Sequence, residues 1–127
     1  MQVTEIAFTG YSVTDMTRAR AFYEGVLGLK KARAWGEEGK EAWIEYDVGP
    51  GCLALMVGGK DWPPSPAGAA AALEVDDLDG FLSGVTASGA KIIVPLQDFP
   101  PCRMAVVGDP DGNRVVLHQR KPRPAGS

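Results

Sequence analysis

The sequence predicts an α+β fold: two tandem βαβββ modules whose eight strands form a curved mixed sheet or barrel, with one helix from each module on the outer face. Three observations carry this prediction. Sliding the 127-residue chain against itself by 62 positions places Val13 on Val75, Asp15 on Asp77 and Met16 on Leu78, so two strand exits and two helix starts coincide. The same offset puts Leu53 on Val115 and Leu55 on Leu117, which aligns the closing strands. Between the copies, residues 59–69 (GGKDWPPSPAG) concentrate Gly, Pro and Ser and read as a linker. The repeats span 3–58 and 70–120 within a single domain over 1–120, and 121–127 form a flexible tail.

Each element follows from its local pattern. Residues 3–13 are rich in Val, Ile, Phe and Tyr, as strands are, and lead into Asp15, a favourable helix N-cap. Beyond it Ala19, Phe22, Tyr23, Val26 and Leu27 recur at steps of three and four, the apolar stripe of a helix, and Gly28 supplies a left-handed stop. Extended stretches over 29–35, 41–48 and 51–58 read as a meander. In the second module the strand is 70–75, Leu78, Phe81, Leu82 and Val85 mark the helix, and Gly89 ends it. Strands follow near 91–94, 102–108 and 114–120. Pro95, Pro100 and Pro101 predict a loop over 95–101, because proline interrupts a ladder. DPDGN at 109–113 predicts a hairpin turn, since Asp, Gly and Asn tolerate the positive φ such turns need.

Composition narrows the function classes. Hydrophobic residues at 45% and charged residues at 23% describe an ordinary globular chain. Thirteen basic against sixteen acidic side chains leave a net charge of −3, and Arg120, Lys121 and Arg123 all sit in the last eight residues, so nucleic acid is not an expected partner. No run approaches the roughly 20 apolar residues of a membrane span. The start MQVTEIAFTG lacks the basic and apolar segments of a signal peptide. Cys52 and Cys102 form neither a metal-binding spacing nor a disulfide framework. A cytoplasmic protein without membrane contacts is expected.

Strand parity assigns side chains to faces. Val115 and Leu117 pack under a helix, leaving Arg114, Val116 and His118 on the concave side; in the matching strand Cys52, Ala54 and Met56 face inward. The inward sets of the first strands are Phe8, Gly10 and Ser12, and Ala70, Ala72 and Glu74. A one-residue slip would invert any of these sets.

VTDMTRARAFYEGVLGL at 13–29, VDDLDGFLSGVTASGAKI at 75–92 and the closing GDPDGNRVVLHQ resemble the glyoxalase, bleomycin-resistance and dioxygenase superfamily, also called vicinal oxygen chelate. The resemblance covers residues 3–120 and implies a fold without implying a reaction. It also implies that metal-dependent members bind one divalent ion through four inward His, Glu, Gln or Tyr residues on the first and last strands of each half. The matching positions here are Phe8 and Ala70, each seven residues before the helix-capping aspartate, with Val116 in the closing motif and Ala54 as its first-half partner. All four are apolar and none can ligate a metal. No metal or other cofactor is therefore expected.

The remaining candidates each have a functional and a plain structural use. His118, the single histidine, suits general acid or base work, or sits inert at a rim or dimer seam. Glu74 and Arg114 share its face, either to hold a ligand's polar end or to form a structural ion pair. Trp35, Trp43, Tyr46, Trp62 and Phe99 fall in the meander and the two long loops, where aromatic rings wall a cleft or simply pack. Cys52 and Cys102 have no neighbouring base in sequence and read as ordinary. Asp15, Asp77 and DPDGN read as caps and turn formers. The leading expectation is a metal-free homodimer that holds a small, aromatic ligand in a concave or dimer-interface cleft, as the drug-sequestering branch of the superfamily does. The alternatives are an enzyme of the same fold, of lyase, isomerase or dioxygenase type, working with a metal or with His118 and Glu74, and an assembly module with a vestigial cleft.

Overall fold

The computed structural model describes residues 2, 4–37, 42–57 and 63–122, and the chain divides into two compact units, Met1–Ser65 and Pro66–Ser127. The first contains β1 (Thr9–Ser12), helix α1 (Met16–Arg20), β2 (Lys31–Gly36), β3 (Ala42–Val48) and β4 (Gly51–Val57). The second contains β5 (Ala72–Glu74), α2 (Leu78–Ser88), β6 (Lys91–Asp98), β7 (Cys102–Gly108) and β8 (Arg114–Arg120). The strands pair as two four-stranded mixed sheets, in the order β1-β4-β3-β2 and β5-β8-β7-β6.

The repeat seen in the sequence is a repeat of hydrogen-bond register. In each unit the first strand lies parallel to the last, with Gly10 opposite Ala54 and Ala72 opposite Val116, every residue 62 on from its counterpart. The same shift relates the bond from Val13 N–H to the Met56 carbonyl, 2.9 Å, and that from Val75 N–H to the His118 carbonyl, 2.8 Å. Both helices start as the sequence implies. The carboxylates of Asp15 and Asp77 accept the backbone N–H of Arg18 and Gly80, each at 3.1 Å, three residues into the helix. Gly89, at φ +82°, closes α2 in the left-handed region that a side chain would strain.

One face of each sheet is sealed by its helix. In the first unit Tyr11, Val13, Ile44, Tyr46, Leu53 and Leu55 are buried, as are Met16, Ala19, Phe22, Tyr23 and Leu27 from the helical segment. In the second, Ala105, Val107, Val115 and Leu117 are inaccessible together with Leu78 and Val85 of α2. The polar edge of this second core is tied down by Gln119, whose side chain accepts the Leu78 N–H at 2.9 Å and donates to the Asp76 carbonyl at 3.0 Å. The DPDGN turn is built from its own side chains. Asp109 Oδ1 accepts the N–H groups of Asp111 (2.9 Å) and Asn113 (2.8 Å), and Gly112 takes φ +84°.

Three details depart from the sequence expectation. The first strand begins at Thr9, and the described residues 4–8 before it carry no strand. Strand β6 continues through Pro95 to Asp98, so the expected loop over 95–101 starts only at Phe99. Its register shifts between Val94 and Gln97, around Pro95, and it lies at the sheet's edge, where a residue without an N–H is tolerated. Finally, α1 passes into a π-helical segment over Ala21–Val26, where Leu27 N–H reaches back five residues to the Phe22 carbonyl at 3.0 Å. The predicted linker 59–69 lies partly outside the described residues, and 63–71 carry no strand or helix.

Candidate functional site

The helix-free face of the first sheet combines aromatic rings with a charged network. Register places Trp43, Glu45 and Asp47 of β3 opposite Met56, Ala54 and Cys52 of β4, and opposite Trp35 and Arg33 of β2, so all of them share a face. Phe8 joins from the approach to β1, its ring edge-on to Trp43 with centroids 5.1 Å apart. Phe8 is 43% exposed and Trp35 55%, unusual for rings of this size. Beside them Arg33 bridges two carboxylates: Nε donates to Glu45 at 2.7 Å and a terminal nitrogen donates to Asp47 at 2.6 Å. Trp43 Nε1–H donates to the other Glu45 oxygen at 2.9 Å, which fixes the indole plane.

The electrostatics follow from these bonds. The Arg33 guanidinium holds both Glu45 and Asp47 below the usual carboxylate range, with the Trp43 donor adding to the effect on Glu45. Arg33 is in turn driven further up by Asp47 first and then Glu45. Cys52, opposite Asp47, is pushed up by burial and by the Glu45 charge, which is the reverse of what a nucleophilic thiolate needs.

The second sheet's open face is plainer. Ala72, Val116 and Val106 lie in line across β5, β8 and β7, with Glu74, His118 and Met104 in the next row. His118 Nδ1 is 2.6 Å from Glu74 Oε1, and Glu74 Oε2 accepts the Arg120 backbone N–H at 2.7 Å. Glu74 is held below its ordinary value by that backbone donor first and by His118 second. The sequence allowed a Glu74–Arg114 pair. Register instead sets His118 across from Glu74 and leaves Arg114 four residues away, opposite Gly108.

The other candidates are dispersed. Tyr46 is on the helix side, wholly buried, with its hydroxyl donating to Glu24 at 2.9 Å and its ring stacked toward Tyr23, so it belongs to the core and not to the open face. Burial, reinforced by the Glu24 carboxylate, raises its phenol well above the ordinary range. Phe99 is 40% exposed in the β6–β7 turn, and Trp62 lies outside the described residues. An open groove of about 320 Å³ on the outer side of the first helical segment is lined by Thr17, Arg20, Ala21, Glu24 and Gly25. Its two charged groups pair at 2.6 Å.

Arg33, Glu45 and Asp47 were not singled out from the sequence, although a signal exists. In AWIEYDV at 42–48, the apolar 42, 44 and 46 alternate with 43, 45 and 47, which assigns Trp43, Glu45 and Asp47 to one face. What alternation withholds is the partner strand, and with it Arg33.

Comparison with known proteins places this geometry in context. The profile of the Glyoxalase/Bleomycin resistance protein/Dioxygenase superfamily matches residues 5–117. The chain belongs to this superfamily. Similar solved structures include TnmS3, an antibiotic binding protein from Streptomyces sp. CB03234, at 22% identity and TM-score 0.78, covering 95% of this chain and 99% of that one. TioX from Micromonospora sp. ML1 aligns at 24% identity and TM-score 0.70, over 95% and 100% of the two chains. The genomically encoded fosfomycin resistance protein FosX from Listeria monocytogenes aligns at 14% and 0.76, over 94% and 96%. At such identities the likeness is one of fold. No curated protein matches the chain.

The superfamily's metal site can be tested against the residues in place. Phe8 presents a ring to Trp43, Ala54 lies between Gly10 and Glu45, and Val116 lies between Ala72 and Val106. With Ala70 these positions offer only hydrocarbon. Glu45, the nearest carboxylate in register, already has Arg33 on one oxygen and Trp43 on the other. Among the described residues no three His, Cys, Asp or Glu side chains converge to hold an ion. The residues present do not fit the metal.

Proposed function

We propose that this protein is a metal-free, homodimeric binding member of its superfamily, which takes a small planar aromatic compound against the open face of its first sheet. The observation that carries the proposal is the ring set of exposed Phe8 and Trp35 around half-buried Trp43, standing where the superfamily's metal-binding face lies, with Trp43 oriented by its bond to Glu45 of the Glu45–Arg33–Asp47 network. Rings held by hydrogen bonds and edge contacts lose little entropy when a ligand stacks on them. The fully engaged carboxylates leave shape and stacking as the main source of affinity. TnmS3, a neighbour in fold, is an antibiotic binding protein, which supports a ligand of that size. No helix of the described residues is long and apolar enough to cross a membrane, and a cytoplasmic setting completes the proposal.

The test is a titration of intrinsic tryptophan fluorescence with planar aromatic and glycopeptide-like compounds. Saturable quenching at micromolar concentration, lost in a Trp43→Leu/Phe8→Ala variant of unchanged secondary structure, is expected. Silence across the whole set refutes the proposal. Sedimentation velocity checks the dimer, which a monomer at 100 micromolar chain would exclude.

A further inference from the structure

The open face of the second sheet bears a polar pair whose geometry exceeds what stability requires. Both oxygens of Glu74 are engaged, one by His118 Nδ1 at 2.6 Å and the other by the Arg120 backbone N–H at 2.7 Å, so the carboxylate cannot turn without losing a bond. An ionised carboxylate only accepts, so the imidazole must carry its proton on Nδ1, and in the neutral ring the lone pair then resides on Nε2. Among the described residues Glu74 is the ring's one hydrogen-bond partner, and the His118 side chain remains 26% exposed. A half-exposed pair of this kind adds little stability by itself. The surrounding floor is apolar: Ala72, Val116, Val106 and Met104, with Val94 of β6 beyond.

We infer that this face is a subsite for a weakly acidic hydroxyl, a phenol or an enol, on an otherwise apolar ligand, with His118 Nε2 as its proton acceptor and Glu74 as the positioning residue. The hydroxyl donates to Nε2; on full transfer the O–H bond breaks, the N–H bond forms, and an oxyanion is left beside an imidazolium that Glu74 neutralises. No further reactant is needed. The charged groups sharing the face are Glu74 on β5, Arg114 and Arg120 on β8, and Lys91 on β6 in the row of Arg114; β7 adds the Cys102 thiol opposite Arg120, and β7 and β6 present Met104 and Gln97 in the row of His118. A carboxylate ligand brings no proton to Nε2, whereas a phenol or an enol does. The residues involved are separate from the aromatic face of the first sheet, so the two proposals fail independently.

His118 is the chain's one histidine, so in an untagged, 15N-labelled protein a single imidazole reports the site. Long-range 1H–15N spectra of the free protein should show the Nδ1–H tautomer, and the Nε2–H tautomer would overturn the inference. With p-nitrophenol, at a pH where the free compound is mostly neutral, the bound probe should show the phenolate absorption band while Nε2 shifts toward its protonated value. p-Nitroanisole, of the same shape but without the proton, should bind about tenfold more weakly and leave Nε2 unmoved. His118→Gln should weaken p-nitrophenol about tenfold and abolish the phenolate band, and Glu74→Gln should reduce the band with the fold intact by circular dichroism. Absence of p-nitrophenol binding, or equal binding of the two probes, refutes the subsite.

Discussion

Replacing Trp35 with alanine isolates the stacking contribution on the first sheet. Trp35 is 55% exposed on an edge strand, directly across from Trp43. A tryptophan side chain offers up to about 250 Å², so roughly 140 Å² of this one meets water, and a flat ligand lying on one side covers about half of that, roughly 70 Å². At about 25 cal/mol per Å² the lost contact is about 1.7 kcal/mol, a rise in Kd of roughly 15- to 20-fold. The fold should lose less than about 0.5 kcal/mol, because the removed surface is solvent-facing. Isothermal titration calorimetry with the tightest compound from the fluorescence screen measures Kd without relying on the deleted fluorophore. Trp35→Phe should recover most of the affinity. A Kd within twofold of the original in Trp35→Ala would show that the ligand does not stack there, and the same result for Phe8→Ala would remove the aromatic face from consideration.

Other consequences are equally accessible. Tyr46→Phe deletes a buried hydroxyl that donates to the Glu24 carboxylate, and should cost about 1.5–3 kcal/mol in urea unfolding with the slope m unchanged. Glu24 is held below its ordinary 4.5, chiefly by Arg20, so its contribution is complete above about pH 4.5 and is lost as pH falls through its lower folded value. Arg20→Met should therefore flatten the decline of melting temperature below about pH 4.5, and an unchanged acid limb would contradict the assignment. Chelator treatment followed by elemental analysis should find no stoichiometric metal and no shift in melting temperature, whereas retained nickel, zinc, iron or manganese would overturn the metal-free proposal.

The parts of the fold legible in the sequence were those written in short-range patterns. Asp15 and Asp77 announce helix starts because a carboxylate at an N-cap meets free N–H groups whatever lies around it. The DPDGN turn is local in the same way, since Asp109 Oδ1 accepts the N–H groups of Asp111 and Asn113 within five residues. Pro95 misled for the opposite reason: whether a proline breaks a strand depends on whether a neighbour needs its N–H, and that is a property of the sheet's edge. The π-helical segment also escaped, because its apolar residues Phe22, Tyr23 and Val26 keep the spacing of an ordinary helix.

The sequence by itself determined the duplication, the 62-residue register that the two sheets share, and the hydrocarbon character of Phe8, Ala54, Ala70 and Val116. Those are properties of residue identity and spacing, which no packing arrangement alters. Only the tertiary structure decided which polar groups meet. Arg33 reaches Glu45 and Asp47 across 12 and 14 residues of chain, and His118 meets Glu74 across 44. Such meetings depend on which strands become neighbours and in what register, and a slip of one residue would send each partner to the opposite face. Tyr46 makes the same point from the other side. The same ring serves a cleft or a core, and the neighbouring helix, by supplying Glu24 above it, made it core.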